Sequence, residues 1–325
     1  MSEPMDLRDA VIEVLMEGKR EGLPVIVLLS DSASTSKIAP FAALYPESVV
    51  NVGIAEQNLV GMAAGVALTG TIAVTANAAP FLLHRSYEQV KLDVCYNNTN
   101  VKMLSINAGF AYGQLGNTHH AIDDIAIIRS CDHVQIFAPA DALEARAVMR
   151  HALRHVGPVY IRMDNIKVEP MYDNTYRFTP GAIDIVHQGK EVLICSLGTL
   201  LPAAVSSGEI LAAQGVDATV ANFSSIRPLD RNALSSLLNS HTHVVVVEEH
   251  SRHGGLTSLI QEAVVSERLK VVVESCALVE GLPTLAGTRN DLRAYYGLDA
   301  AGVVRKVLEM LSCTSSQPTC AQVTV

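Results

Sequence analysis

A chain of 325 residues, 49% hydrophobic and 18% charged, can bury two cores of ordinary domain size. Its formal net charge of -9 leaves no basic excess to neutralise a phosphate backbone or an anionic bilayer, which excludes a general nucleic-acid or membrane-surface binder. The six cysteines (Cys95, Cys131, Cys195, Cys276, Cys313 and Cys320) include no C-x-x-C pair, so neither a disulfide framework nor a zinc site is expected. The first eight residues carry no apolar signal region, and a reducing cytoplasm is the expected setting.

Residues 6–20 place apolar side chains at helical spacing. Val25–Leu29 reads as a buried strand that runs into the polar loop Ser30–Thr35. A helix is expected over 37–44, a strand over 48–52 and a Gly/Ala-rich helix over 55–68. Further strands are expected at 72–75, 101–106, 134–137 and 159–162. Helices are expected at 81–97, 122–130 and 141–155, and the Gly-rich, aromatic stretch 109–120 reads as a loop. Buried strands alternating with helices predict an α/β fold with a doubly wound parallel sheet. Such sheets hold ligands beyond the carboxyl ends of their strands, where Asp31, Glu56, Asn77, Asn107 and Arg162 fall.

From Gln57 to His84 there is no formal charge. Asn58, Asn77, Pro80 and the Thr69-Gly70 turn interrupt the stretch, so it reads as a buried helix followed by a buried strand rather than a membrane span. Glu56 is the one acid at its start. An acid there suits the positive end of a helix dipole, or it works on a bound group.

A polar connection over 166–189 separates a first domain, 1–165, from a second α/β domain, 190–312. In the second, strands are expected at 192–196, 217–221, 243–247 and 271–273, and helices at 200–214, 256–267 and 300–312. Ile226–Asp230 reads as a turn into another helix, and 313–325 as a disordered tail.

The phrases Asn51-Val-Gly-Ile-Ala-Glu-Gln57, Phe81 to Val90, Gly116 to Ala126, Phe137 to Asp141, Ile226 to Asp230 and Val246 to Glu249 occur in an order that resembles the C-terminal half of transketolase. More narrowly, the chain resembles the smaller subunit of a split transketolase. The resemblance covers about residues 5–312. It implies a pyrimidine-binding domain followed by the transketolase C-terminal domain, and thiamine diphosphate as cofactor. The family holds the diphosphate and its Mg2+ or Ca2+ through a Gly-Asp-Gly motif that is absent here. An N-terminal partner subunit is therefore implied for that half, with a heterotetramer as the working form and no metal ligand in this chain.

By the same resemblance, Glu56 matches the glutamate that drives the aminopyrimidine to its imino form. Asp31, Ile54, Phe81, His84 and Tyr87 match positions around the cofactor, with His84 standing where the family has phenylalanine. His119 matches a histidine at the substrate hydroxyls, and Arg8, Thr35, Asn107 and Arg162 match substrate or phosphate positions. Gly61, Ala64 and Gly65 give the helix after Glu56 a face that another helix can approach. Leu115 and Asn107 depart from an aspartate and a histidine of the family, which points to an altered sugar preference. The β subunit of a 2-oxoacid dehydrogenase, a deoxyxylulose-phosphate-synthase-like enzyme and a non-catalytic regulatory paralogue are the alternative readings.

Overall fold

The computed structural model describes residues 3–278 and 283–315. The first domain is built on seven strands in the order Ser225–Arg227, Gln135–Phe137, Val159–Arg162, Val101–Ile106, Ile72–Ala78, Val25–Leu29, Val49–Asn51. The six strands from the first domain are mutually parallel, with Val27 beside Val49 and Val74 on one flank and Val74 beside Lys102 on the other. The central strand Ile72–Ala78 is buried at every position, as a parallel strand covered on both faces must be. It runs three residues past the expected end, which carries Asn77 into the sheet.

Helix Leu7–Arg20 starts where the Asp6 carboxylate accepts the Arg8 amide. Its Ala10, Val11, Val14 and Leu15 pack in one core with Ala145, Val148, Met149 and Ala152 of helix Ala142–Arg154. That second helix is capped by Asp141, which accepts from the Glu144 amide, while Glu144 reaches back to the Ala140 amide at 2.7 Å. On the other face of the sheet, helix Glu56–Leu68 buries Leu59, Val60, Ala63, Ala64 and Ala67.

The stretch expected as one helix over 81–97 is three pieces. Two wide π-helical segments, Pro80–Arg85 and Val90–Tyr96, flank the short helix Tyr87–Gln89. Its apolar spacing is compatible with either kind of turn, so sequence periodicity could not separate them.

The second domain is a five-stranded sheet in the order Val272–Leu278, His243–Ser251, Val192–Ser196, Ala218–Asn222, Asp184–His187, antiparallel only at the last strand. That edge strand and the short strand Lys167–Val168, paired with Met5–Asp6, occupy the stretch expected to be a plain linker. Helix Arg289–Tyr295 is an addition to the expected elements, and the last helix, Ala300–Ser315, is longer than expected. The tail expected to be disordered lies, beyond residue 315, outside the described residues.

The two domains share one structure at their junction. Ser225–Arg227, expected as part of a turn, leaves the second domain and pairs antiparallel with Gln135–Phe137 of the first sheet. Ion pairs seal the same seam. Glu249 accepts from Arg289 and Arg293 and from the Phe110 amide, and Asp164 pairs with Arg289. Burial works to raise the Glu249 carboxyl, but Arg289 and Arg293 prevail and hold it at about 2. Gly109, at φ 61°, is required here, because a Cβ at that position would run into the Glu249 carboxylate.

Candidate active site

The carboxyl ends of the parallel strands open on one edge, and the turn that carries Glu56 is fixed from two sides. Ser30 donates its hydroxyl to the Gly53 carbonyl at 2.7 Å and accepts the Ala55 amide at 3.0 Å. Asn51 Oδ1 accepts the amides of Asp31 and Gly53, both at 3.1 Å. Gly53 sits at φ 74°, so the chain reverses sharply there and enters the helix at Glu56.

Glu56 is 3% exposed. Its Oε2 accepts from Arg85 Nη1 at 2.8 Å and its Oε1 from Asn77 Nδ2 at 3.4 Å. Phe81 is half-buried beside it. The Arg85 guanidinium lies over the Phe81 ring, 4.7 Å from its centre, and the His119 ring meets Phe81 edge-on at 5.2 Å. His119 is in turn edge-on to Tyr112 at 5.6 Å, and the Tyr112 hydroxyl donates to Thr35 Oγ1 at 3.4 Å. Glu56, Phe81, His119 and Thr35, expected from the sequence, therefore fall along one line. Arg85 and Tyr112 complete it and were not foreseen. Their signal was available in the exposed cation one π-turn after Phe81 and the aromatic residue inside the Gly-rich loop.

The other expected residues have different surroundings. Asp31 is exposed at the end of its strand, at φ 50°, and Ile54 is 75% exposed on the turn. His84 Nε2 donates to Asp123 Oδ1 at 2.7 Å rather than facing an aromatic neighbour. Burial works against charge on His84, but Asp123 prevails and raises its pKa above the usual histidine value. The Tyr87 hydroxyl bonds Ser130 at 2.7 Å and its ring packs against the core beneath.

Three residues expected at the substrate are engaged elsewhere in the chain or buried. Arg162, expected as a free phosphate clamp, is buried. It bonds Asp124 through Nε and the carbonyls of Ala121 and Glu249 through Nη2, so it ties the domains together. Arg8 grips Asp6 in a fork and donates to the carbonyls of Thr35 and Asn165, which makes it a brace for the cleft wall. Asn107 is fully buried at φ 60°, and neither atom of its amide has a partner among the described residues.

The His84–Asp123 pair gives a pH prediction. Because the folded-state pKa of His84 is raised, its contribution is complete below about 6.5 and is lost as pH rises through the folded value. Asp123→Asn is therefore expected to destabilise the chain more at pH 5.5 than at pH 9, as read by urea unfolding. An equal loss at both pH values would remove the charge pairing as its cause.

The Glu56 carboxylate and the Phe81 face both meet one flat group that carries N–H donors, the Arg85 guanidinium, and an aminopyrimidine offers the same chemistry to such a pair. Among the described residues, no group of three or more His, Cys, Asp or Glu side chains is placed to hold a metal ion, and no helix is long and apolar enough to cross a membrane.

Fold and cleft together define a two-domain α/β chain of the thiamine-diphosphate type, carrying the pyrimidine side of the site. The profile of the transketolase pyrimidine-binding domain matches residues 3–170, and that of the transketolase C-terminal domain matches residues 181–303. The chain belongs to the transketolase family. It is 41% identical over 310 residues to one of the subunits of the apulose-4-phosphate transketolase of Actinobacillus succinogenes, covering 95% of this chain and 100% of that one. It is 30% identical to a 6-deoxy-6-sulfo-D-fructose transketolase subunit of a Clostridium species, covering 94% of each. A solved split-gene transketolase, described as an inactive beta4 tetramer, superimposes with a TM-score of 0.85 at 34% identity, covering 95% of this chain and 99% of that chain.

Proposed function

We propose that this chain is the C-terminal subunit of a two-chain, thiamine-diphosphate-dependent transketolase that moves a two-carbon ketol unit from a ketose phosphate to an aldose phosphate. The observation that carries the reading is the buried carboxylate of Glu56 beside the half-buried face of Phe81, at the ligand-binding edge of a parallel sheet. Thiamine diphosphate, when bound, would supply a carbon nucleophile for the ketose carbonyl. Glu56 accepts and holds a proton at the aminopyrimidine ring, Phe81 supports that ring, and His119 moves protons at the substrate hydroxyls. Thr35, Asp31 and Ile54 line the approach, with Arg8 holding Thr35 in place. His84 and Tyr87 act at one remove, by fixing the wide helix that carries Phe81.

In this reading residues 1–165 form the pyrimidine-binding unit and 190–312 the C-terminal unit, joined by 166–189. The diphosphate and its Mg2+ or Ca2+ belong to an N-terminal partner subunit, and two chains of each kind make a cytoplasmic heterotetramer. The open face of helix Glu56–Leu68 supports an assembly. Leu68 is 76% exposed, Met62 and Tyr96 are exposed nearby, and nothing lies within 4 Å of the place a Cβ would take at Gly65. Two relatives are transketolases of apulose 4-phosphate and of 6-deoxy-6-sulfo-D-fructose, so a donor other than the common ketose phosphates is proposed. Leu115, 55% exposed on the Gly-rich loop, offers no hydrogen bond to a sugar hydroxyl there.

The test mixes this chain with an N-terminal subunit from the same genome, thiamine diphosphate and Mg2+, and follows transfer from apulose 4-phosphate and from a panel of ketose phosphates. Transfer from at least one donor is expected. A pair that binds the cofactor and cleaves none of them would overturn the reading in favour of a regulatory subunit. Phe81→Ala is expected to weaken cofactor binding to the pair by about tenfold, about 1.4 kcal/mol, measured by calorimetry.

A further inference from the structure

A buried carboxylate is costly unless a donor or a cation faces it. Glu56 meets that need in an unusual way. Among the described residues, Arg85 is the one cation within ion-pair distance of it, and the Arg85 side chain is itself 49% exposed. The same guanidinium rests on the Phe81 ring. One flat cation therefore lies on the aromatic face and donates to the acid at once. Those are the two contacts that the acid and the ring offer to an aminopyrimidine.

We propose that Arg85 is an internal placeholder, whose guanidinium fills the pyrimidine slot of the cofactor-free chain and swings into solvent when thiamine diphosphate enters. The inference rests on the function proposed above and adds a positioning residue to it. Three observations carry it. The side chain is half exposed, so its way out leads directly into water. Asn77 remains on the other oxygen of Glu56, so the acid keeps one donor when the guanidinium leaves. The guanidinium lies over the Phe81 ring, so it covers the aromatic face as well as the acid.

The arrangement suits a subunit that carries half of a site. Before it meets its partner, the buried acid is paired and the aromatic face is covered. The cofactor then binds against a competitor, and its apparent affinity is the intrinsic one multiplied by the fraction of time the guanidinium is away.

The experiment measures thiamine diphosphate binding by calorimetry to the assembled two-chain complex, made with wild-type chain, Arg85→Ala or Arg85→Gln. Thermal unfolding of each cofactor-free chain is followed in parallel. Both variants are expected to bind the cofactor about tenfold more tightly. The cofactor-free Arg85→Ala chain is expected to unfold at a lower temperature, and Glu56→Gln in the same chain to restore the midpoint. If Arg85→Ala does not fold, Arg85→Gln, which can still donate to Glu56, carries the comparison. Equal or weaker cofactor binding by the variants would overturn the placeholder, since it would make Arg85 neutral or a direct ligand. If the wild-type complex itself failed to bind thiamine diphosphate, the proposed function would fall, and the placeholder with it.

Discussion

Glu56→Gln is expected to lower ketol transfer by the two-chain enzyme by roughly 10²–10⁴-fold, with the unfolding midpoint of the chain little changed. Glutamine preserves the shape of the side chain and a hydrogen bond to Asn77, but it cannot take up the proton that a carboxylate holds. Arg85, half exposed, returns to water at little cost when the charge opposite it is removed. Steady-state kinetics on the reconstituted pair, with circular dichroism melting of the variant, separate the two effects. A folded Glu56→Gln pair with wild-type turnover would remove the acid from the chemistry.

The largest effect on stability is expected at Glu249→Gln. The wild-type carboxylate lies buried between Arg289 and Arg293 and accepts the Phe110 amide at 2.5 Å. Loss of its charge leaves two buried guanidinium groups sharing Asp164, and a cost of about 3–5 kcal/mol is expected. The pH dependence follows from the depressed pKa. The contribution of Glu249 is complete above its unfolded value, about 4.5, and is lost as pH falls towards about 2. Wild-type and variant stabilities are therefore expected to converge in acid, as read by denaturant unfolding between pH 3 and pH 7. A gap that stays constant over that range would rule out the charge as its source. Activity should fall as well, because Phe110 opens the loop that carries Tyr112 and His119.

Much of this arrangement was legible in the sequence. Buried β-branched runs ending in polar residues located the strand ends, and a lone acid in an uncharged stretch located Glu56. The strand Ser225–Arg227 was not legible, because three residues with a partner in another domain carry no periodicity of their own. Helix Arg289–Tyr295 was missed for a related reason. Its two arginines are held by an acid that is 40 or more positions earlier, which no local pattern shows. Arg162 shows the same limit from the other side. At a strand end it looked available for phosphate, yet Asp124 and the Glu249 carbonyl had already taken its fork. Asn107 was placed correctly after its strand, but no local pattern shows that it is completely buried.

The role of Arg85 was hidden more thoroughly. A sequence can place a cation four residues after an aromatic one, but it does not show that the guanidinium covers the Phe81 ring and also reaches Glu56.

The central claim is that this chain holds one half of a thiamine diphosphate site and is inert without the other. The most direct measurement is ketose-phosphate cleavage, in the presence of thiamine diphosphate and Mg2+, by this chain alone, by an N-terminal subunit alone and by the two together. Turnover by the mixture and by neither chain alone is the expected result. Turnover by this chain alone would contradict the claim.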